Sequence, residues 1–134
     1  MKITVEPKSK SYSGKVFTGV SELSLGATGL RIVVAATDET NEKRTLIEIH
    51  FEEARGFRVL DEGDLIPYWQ SKVFESGYCL FEIKSGGWLE QERQFPGMLA
   101  ITEAVGDFRE WFICTEYNCV NVLAVNPPLI REFS

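Results

Sequence analysis

Glu48, His50 and Glu52 stand at i, i+2 and i+4, which in a strand puts all three on one face, about 6–7 Å apart per step. That spacing suits a weak metal site, although neighbouring glutamates on an exposed strand arise more often without one. His50 is also the only histidine, so a Ser or Cys triad would have to use it, and no nucleophile motif accompanies it. A polar surface histidine is the simpler account. Cys79, Cys114 and Cys119 add up with His50 to the ligands of a Cys₃His zinc site. Only one C-x₄-C pair is present, however, and the paired knuckles that position zinc are missing. If TEYN is a hairpin tip, Cys114 and Cys119 face each other and a labile disulfide is conceivable, though a reducing compartment would keep it open. Ser85-Gly86-Gly87-Trp88 has neither the Lys-Ser/Thr ending of a phosphate loop nor the GxGxxG spacing of a dinucleotide turn. It reads as a glycine turn, with Trp88 free to cover a core edge. Twenty acidic residues provide many carboxylate pairs, and nothing singles out one as a glycosidase pair. The reading is therefore a non-enzymatic protein without cofactor or bound metal.

The elements that must position these residues are mainly strands. Short alternating or apolar runs are punctuated by Gly, Pro, Asn and Ser, the pattern of antiparallel sheets. Strands are predicted at Lys2–Glu6, Lys15–Leu25, Leu30–Thr37, Arg44–Glu52, Tyr78–Lys84, Phe108–Thr115 and Cys119–Val125, with a last one at Leu129–Phe133. In Arg44–Glu52 the residues Ile47, Ile49 and Phe51 alternate with Glu48, His50 and Glu52, so one face is core and the other wet. Leu30–Ala36 and Cys119–Val125 are nearly apolar on both faces, which suggests central strands covered on both sides or a strand pair deep in a sandwich. Asp61 is placed to cap a short helix over Glu62–Gln70, which Gly63 and Pro67 make irregular. Trp88–Gln94 fits either a helical turn or a strand. The expected fold is mainly β, α+β at the margin: an antiparallel sandwich or barrel-like sheet of about seven to eight strands with one short helix near 61–70, in one domain.

Bulk properties narrow the function classes. The chain has 134 residues, 44% hydrophobic and 12% aromatic, enough for a core without disulfide or metal staples. A formal charge of −6 argues against general nucleic-acid binding, which depends on Lys and Arg neutralising phosphates. The charge is uneven. Lys2, Lys8, Lys10 and Lys15 face only Glu6 in the first fifteen residues, whereas nine acids face four bases over residues 38–64. A solvated acidic surface explains that segment simply, and an electrostatic docking face for a cationic partner explains it functionally. The N-terminus lacks an apolar signal segment and no window approaches the ~20 apolar residues of a membrane span. A cytoplasmic protein with reduced thiols is expected, as monomer or as homodimer through exposed strand edges.

The order GFRVLDEGDLIPYW, CLFEIKSGGWLEQE and EWFICTEYNCVNVLAVNPPLI, over roughly residues 56–131, resembles small acidic bacterial immunity-type proteins of polymorphic or contact-dependent growth-inhibition toxin systems. The resemblance lies in strand spacing, SGGW, the C-V-x-V-L strand and the Pro-Pro stop. It implies a protein that binds a cognate toxin, such as a basic nuclease, and blocks its active site or substrate path. On that reading the contacts would be Glu48, Glu52, Glu53, Asp61, Glu62 and Asp64, with Tyr68 and Trp69 as aromatic anchors. Another class, a small-ligand binder with Trp69, Trp88, Trp111 and Phe112 around an apolar pocket, draws on residues that core packing explains equally well.

Overall fold

Alternation in the strands is what builds the fold. The computed structural model describes residues 2–133, and among these nine strands form two antiparallel sheets. One sheet joins β2 (Lys15–Gly26), β3 (Gly29–Asp38), β4 (Arg44–Phe51) and β9 (Leu129–Phe133) in the order β2-β3-β4-β9. The other joins β1 (Thr4–Pro7), β5 (Gly56–Asp61), β6 (Leu80–Ser85), β7 (Arg109–Ile113) and β8 (Asn118–Ala124) in the order β1-β6-β7-β8-β5. The two sheets make a sandwich and not a closed barrel, so β1, β5, β2 and β9 are left as edges.

In β4 every second residue, Ile47, Ile49 and Phe51, is buried while Glu48 and His50 stay half-exposed. These side chains meet Leu80, Trp111, Ile113, Val120 and Val122 of the five-stranded sheet in a core that also takes Leu30, Ile32 and Val34 from β3. Phe51 and Trp111 lie across it with ring centroids 6.2 Å apart. The far face of the five-stranded sheet is covered as well. A 3₁₀ turn (Glu62–Asp64), α1 (Ile66–Gln70) and the segment after it lay Leu65, Tyr68, Trp69 and Phe74 over Phe81, Phe112 and Cys119. Tyr68 stacks on Phe74 at 5.5 Å, and Phe74 meets Phe112 at 5.0 Å. Burial on both faces is why β8 reads as nearly apolar, with Asn121 the buried polar exception.

The structure corrects several sequence expectations. There are nine strands rather than seven or eight, because Gly56–Asp61 is β5 and pairs along β8 from Gly56↔Leu123 to Asp61↔Asn118. The helix expected over Glu62–Gln70 is two pieces. Asp61 caps the first by accepting from the Gly63 amide at 2.8 Å, and the second starts afresh with proline in its first turn. Trp88–Arg93 is helix α2, and Ala100–Val105 forms an unanticipated α3. SGGW is a turn whose two glycines do different work. Gly86 sits at φ +79°, and a Cβ there would lie 2.4 Å from the Lys2 carbonyl oxygen. At Gly87 a Cβ would come within 2.7 Å of the Glu110 carboxylate, so glycine lets that carboxylate reach the start of α2.

Candidate binding site

A cavity of about 340 Å³ opens at the end of the sandwich where β7 turns into β8. Local chemistry assembles it. The β7–β8 turn is pinned by Thr115, whose hydroxyl accepts from the amides of Tyr117 at 3.3 Å and Asn118 at 3.1 Å. Two register irregularities in β2, at Phe17/Gly19 and Val20/Glu22, bend that strand toward this turn. There the Glu116 amide donates to the Phe17 carbonyl at 2.8 Å, and the Val20 amide donates to Asn118 Oδ1 at 3.0 Å. Trp69 is fixed by its indole N–H, which donates to the Glu62 carbonyl at 2.8 Å. The resulting walls are Phe17, Trp69, Phe74 and Tyr78, and the lining carboxylates are Glu39, Glu62, Glu75 and Glu116. None of those four takes part in an ion pair among the described residues. Among the described residues Lys15 is the one cation in the lining, and its ammonium donates to Thr45 Oγ1 at 2.8 Å.

The eight residues proposed from sequence do not form one face. Glu62 and Trp69 line this cavity, with Asp61 adjoining, while Asp64 lines a neighbouring pocket of about 280 Å³. Glu52 and Glu53 line a third, of about 210 Å³, beside Val125 and Pro127. That pocket lies at the opposite end of β5, about 20 Å away along a six-residue strand. Glu48 is already engaged: Arg31 Nε donates to it at 2.5 Å and Arg131 Nη2 at 3.2 Å, and the Arg31 bond holds its carboxyl below the usual range. Tyr68 is only 4% exposed, which removes it as a surface anchor. Its hydroxyl accepts from Arg58 and Asn121, each at 3.3 Å. Nor do the four aromatics of the ligand-pocket reading share a cavity. Trp111 lies between the sheets, Phe112 faces the opposite layer, and Trp88 starts α2 beneath the Arg58 guanidinium.

Sequence reasoning missed Glu39, Glu75 and Glu116, which come from three separate loops with no shared spacing. It also missed a buried polar cluster. Glu110 is 2% exposed and accepts from the amides of Trp88 at 3.0 Å and Leu89 at 2.9 Å and from Asn121 Nδ2 at 2.8 Å. Burial nevertheless pushes its carboxyl up. These bonds tie α2 to the sheet, a structural task.

The other candidates are likewise occupied. His50 Nε2 donates to the Thr28 carbonyl at 2.8 Å. Among the described residues no group of three or more His, Cys, Asp or Glu is placed to hold a metal ion. Extending the register Ile113↔Val120 by one step sets Cys114 opposite Cys119, and both are free thiols. Cys119 Sγ donates to the Thr115 carbonyl at 3.6 Å, and the neighbouring thiol is the main influence on each, raising Cys114 and lowering Cys119.

Glu82 gives the clearest pH dependence. Arg109 grips its carboxylate at 2.8 and 2.9 Å, with burial opposing and Lys84 assisting, and its pKa falls from 4.5 to about 2. A lowered folded pKa contributes stability that is complete above the unfolded value and is lost as pH falls through the folded one. The unfolding free energy from urea titrations should therefore drop between pH 4.5 and 2, by on the order of 1–2 kcal/mol after screening, and Glu82→Gln should flatten that slope. Glu110 acts with the opposite sign, its contribution weakening as pH rises above the unfolded carboxyl value.

No helix among the described residues is long and apolar enough to cross a membrane. Comparison with protein-family models, curated proteins and solved structures gives no match to this chain.

Proposed function

We propose that the chain is a non-enzymatic binding protein, an immunity protein that neutralises a cognate bacterial toxin by direct contact through an acidic surface. The observation that carries this reading is the end of the sandwich at the β7–β8 turn. Glu39, Glu62, Glu75 and Glu116 line its cavity without ion pairs among the described residues, and Asp61 and Asp64 stand exposed beside it. Acids elsewhere, such as Glu48, Glu82 and Glu103, are spent on arginines of the same chain. Carboxylates left unpaired around a cavity attract and orient a basic partner, and a nuclease with a cationic cleft is the natural example. The size of the cavity supports a second reading as a small-ligand binder.

The test is co-expression with the product of the adjacent upstream gene, followed by co-purification at low and high salt. The expected result is a stoichiometric complex that abolishes the neighbour's toxicity and loosens as salt rises. A neighbour that is harmless alone and forms no complex would remove the toxin reading for that locus. A thermal shift with small molecules but no protein complex would favour the second.

A further inference from the structure

We propose that the cavity beside the β7–β8 turn receives a single cationic side chain, an alkyl guanidinium or alkyl ammonium group presented by a partner polypeptide. This rests on the binding reading above for its source and on the cavity's own chemistry for its class. Trp69 and Tyr78 are half-buried and line the cavity. They supply apolar surface for a hydrocarbon stem and ring faces for a cation, a contact that strengthens as water is excluded. In the same lining Glu39, Glu75 and Glu116 are exposed and Glu62 half-buried, so an entering charged head passes carboxylates that take part in no ion pair among the described residues.

Other occupants fit worse. A neutral apolar group would match the walls and leave the carboxylates without a counter-charge. An anion would be repelled. Lys15 does not neutralise the site from within, because its ammonium is directed to Thr45.

The experiment uses the whole purified chain and follows the Trp69 indole N–H resonance, assigned with Trp69→Phe, at constant ionic strength. Three probes are titrated: butylguanidinium, arginine capped as N-acetyl methylamide, and citrulline capped the same way. Both cations should move the resonance saturably and the uncharged citrulline should not. Glu62→Gln combined with Glu116→Gln should weaken the cations about three- to tenfold. Tighter binding of capped arginine than of butylguanidinium is the result expected for a side chain on a polypeptide. The reverse order would overturn that source and assign the cavity to a free small cation. Equal binding of citrulline, or no movement with any cation, would overturn the proposal altogether. Neither of those outcomes touches toxin binding, which the co-purification reads independently.

Discussion

Trp111→Ala should destabilise the domain by about 3–5 kcal/mol, read as a lower urea midpoint. The side chain is fully buried between the two sheets and faces Phe51 from the opposite layer at 6.2 Å. Its indole N–H donates to the Ala124 carbonyl at 3.1 Å, so truncation opens a cavity and also leaves a buried carbonyl without its donor. The Arg109 guanidinium, 4.5 Å from the ring centroid, loses its platform as well. For a domain whose whole stability is of order 5–15 kcal/mol, such a loss brings the variant close to unfolding. Trp69→Ala is the internal comparison, because the same residue type there is half-exposed at a cavity mouth. It should cost roughly half as much or less. A Trp111 variant no weaker than the Trp69 one would mean that the sheets do not close on each other through these residues.

The parts of the fold legible in the sequence are those where local pattern and tertiary environment agree. Strand β4 alternates because one face meets the other sheet, and β8 is nearly apolar because helices and loops cover its second face. Asp61 was readable as a cap because Asp followed by an acidic turn carries that meaning in isolation. Strand β5 was not. Phe57-Arg58-Val59-Leu60 alternates too briefly and runs into acids that suit a helix start. It is a strand because β8 would otherwise expose an unpaired edge. The site failed for a topological reason. Glu53 and Asp61 are eight positions apart, yet β5 carries the chain the length of the sheet between them. Glu39, Glu75 and Glu116 are scattered in sequence and converge only because bulges bend β2 onto the β7–β8 turn. Periodicity reports which face a residue takes and says nothing of which loops meet at one end of a sandwich.

That division of the acids yields a prediction the linear acidic segment would not. Replacing Glu62, Asp64 and Glu116 together with alanine should weaken binding of the proposed toxin about 3- to 100-fold, mostly through slower association and with a shallower salt dependence, with Asp61 left in place because it caps the 3₁₀ turn. Three exposed or half-exposed charges at about 0.2–1 kcal/mol each give roughly 0.6–3 kcal/mol. Replacing Glu52 and Glu53 should change affinity less than about threefold. They lie about 20 Å away along β5, beyond the ~8 Å over which exposed charges act at physiological salt. Glu48 belongs in neither set, because its removal releases Arg31 and Arg131. It would loosen the β4–β9 edge and confuse stability with binding. Binding kinetics for the two variants at two salt concentrations decide the matter. A larger loss from Glu52 and Glu53 would move the interface to the opposite end of the sandwich, beside Val125 and Leu129, and leave the aromatic cavity outside it.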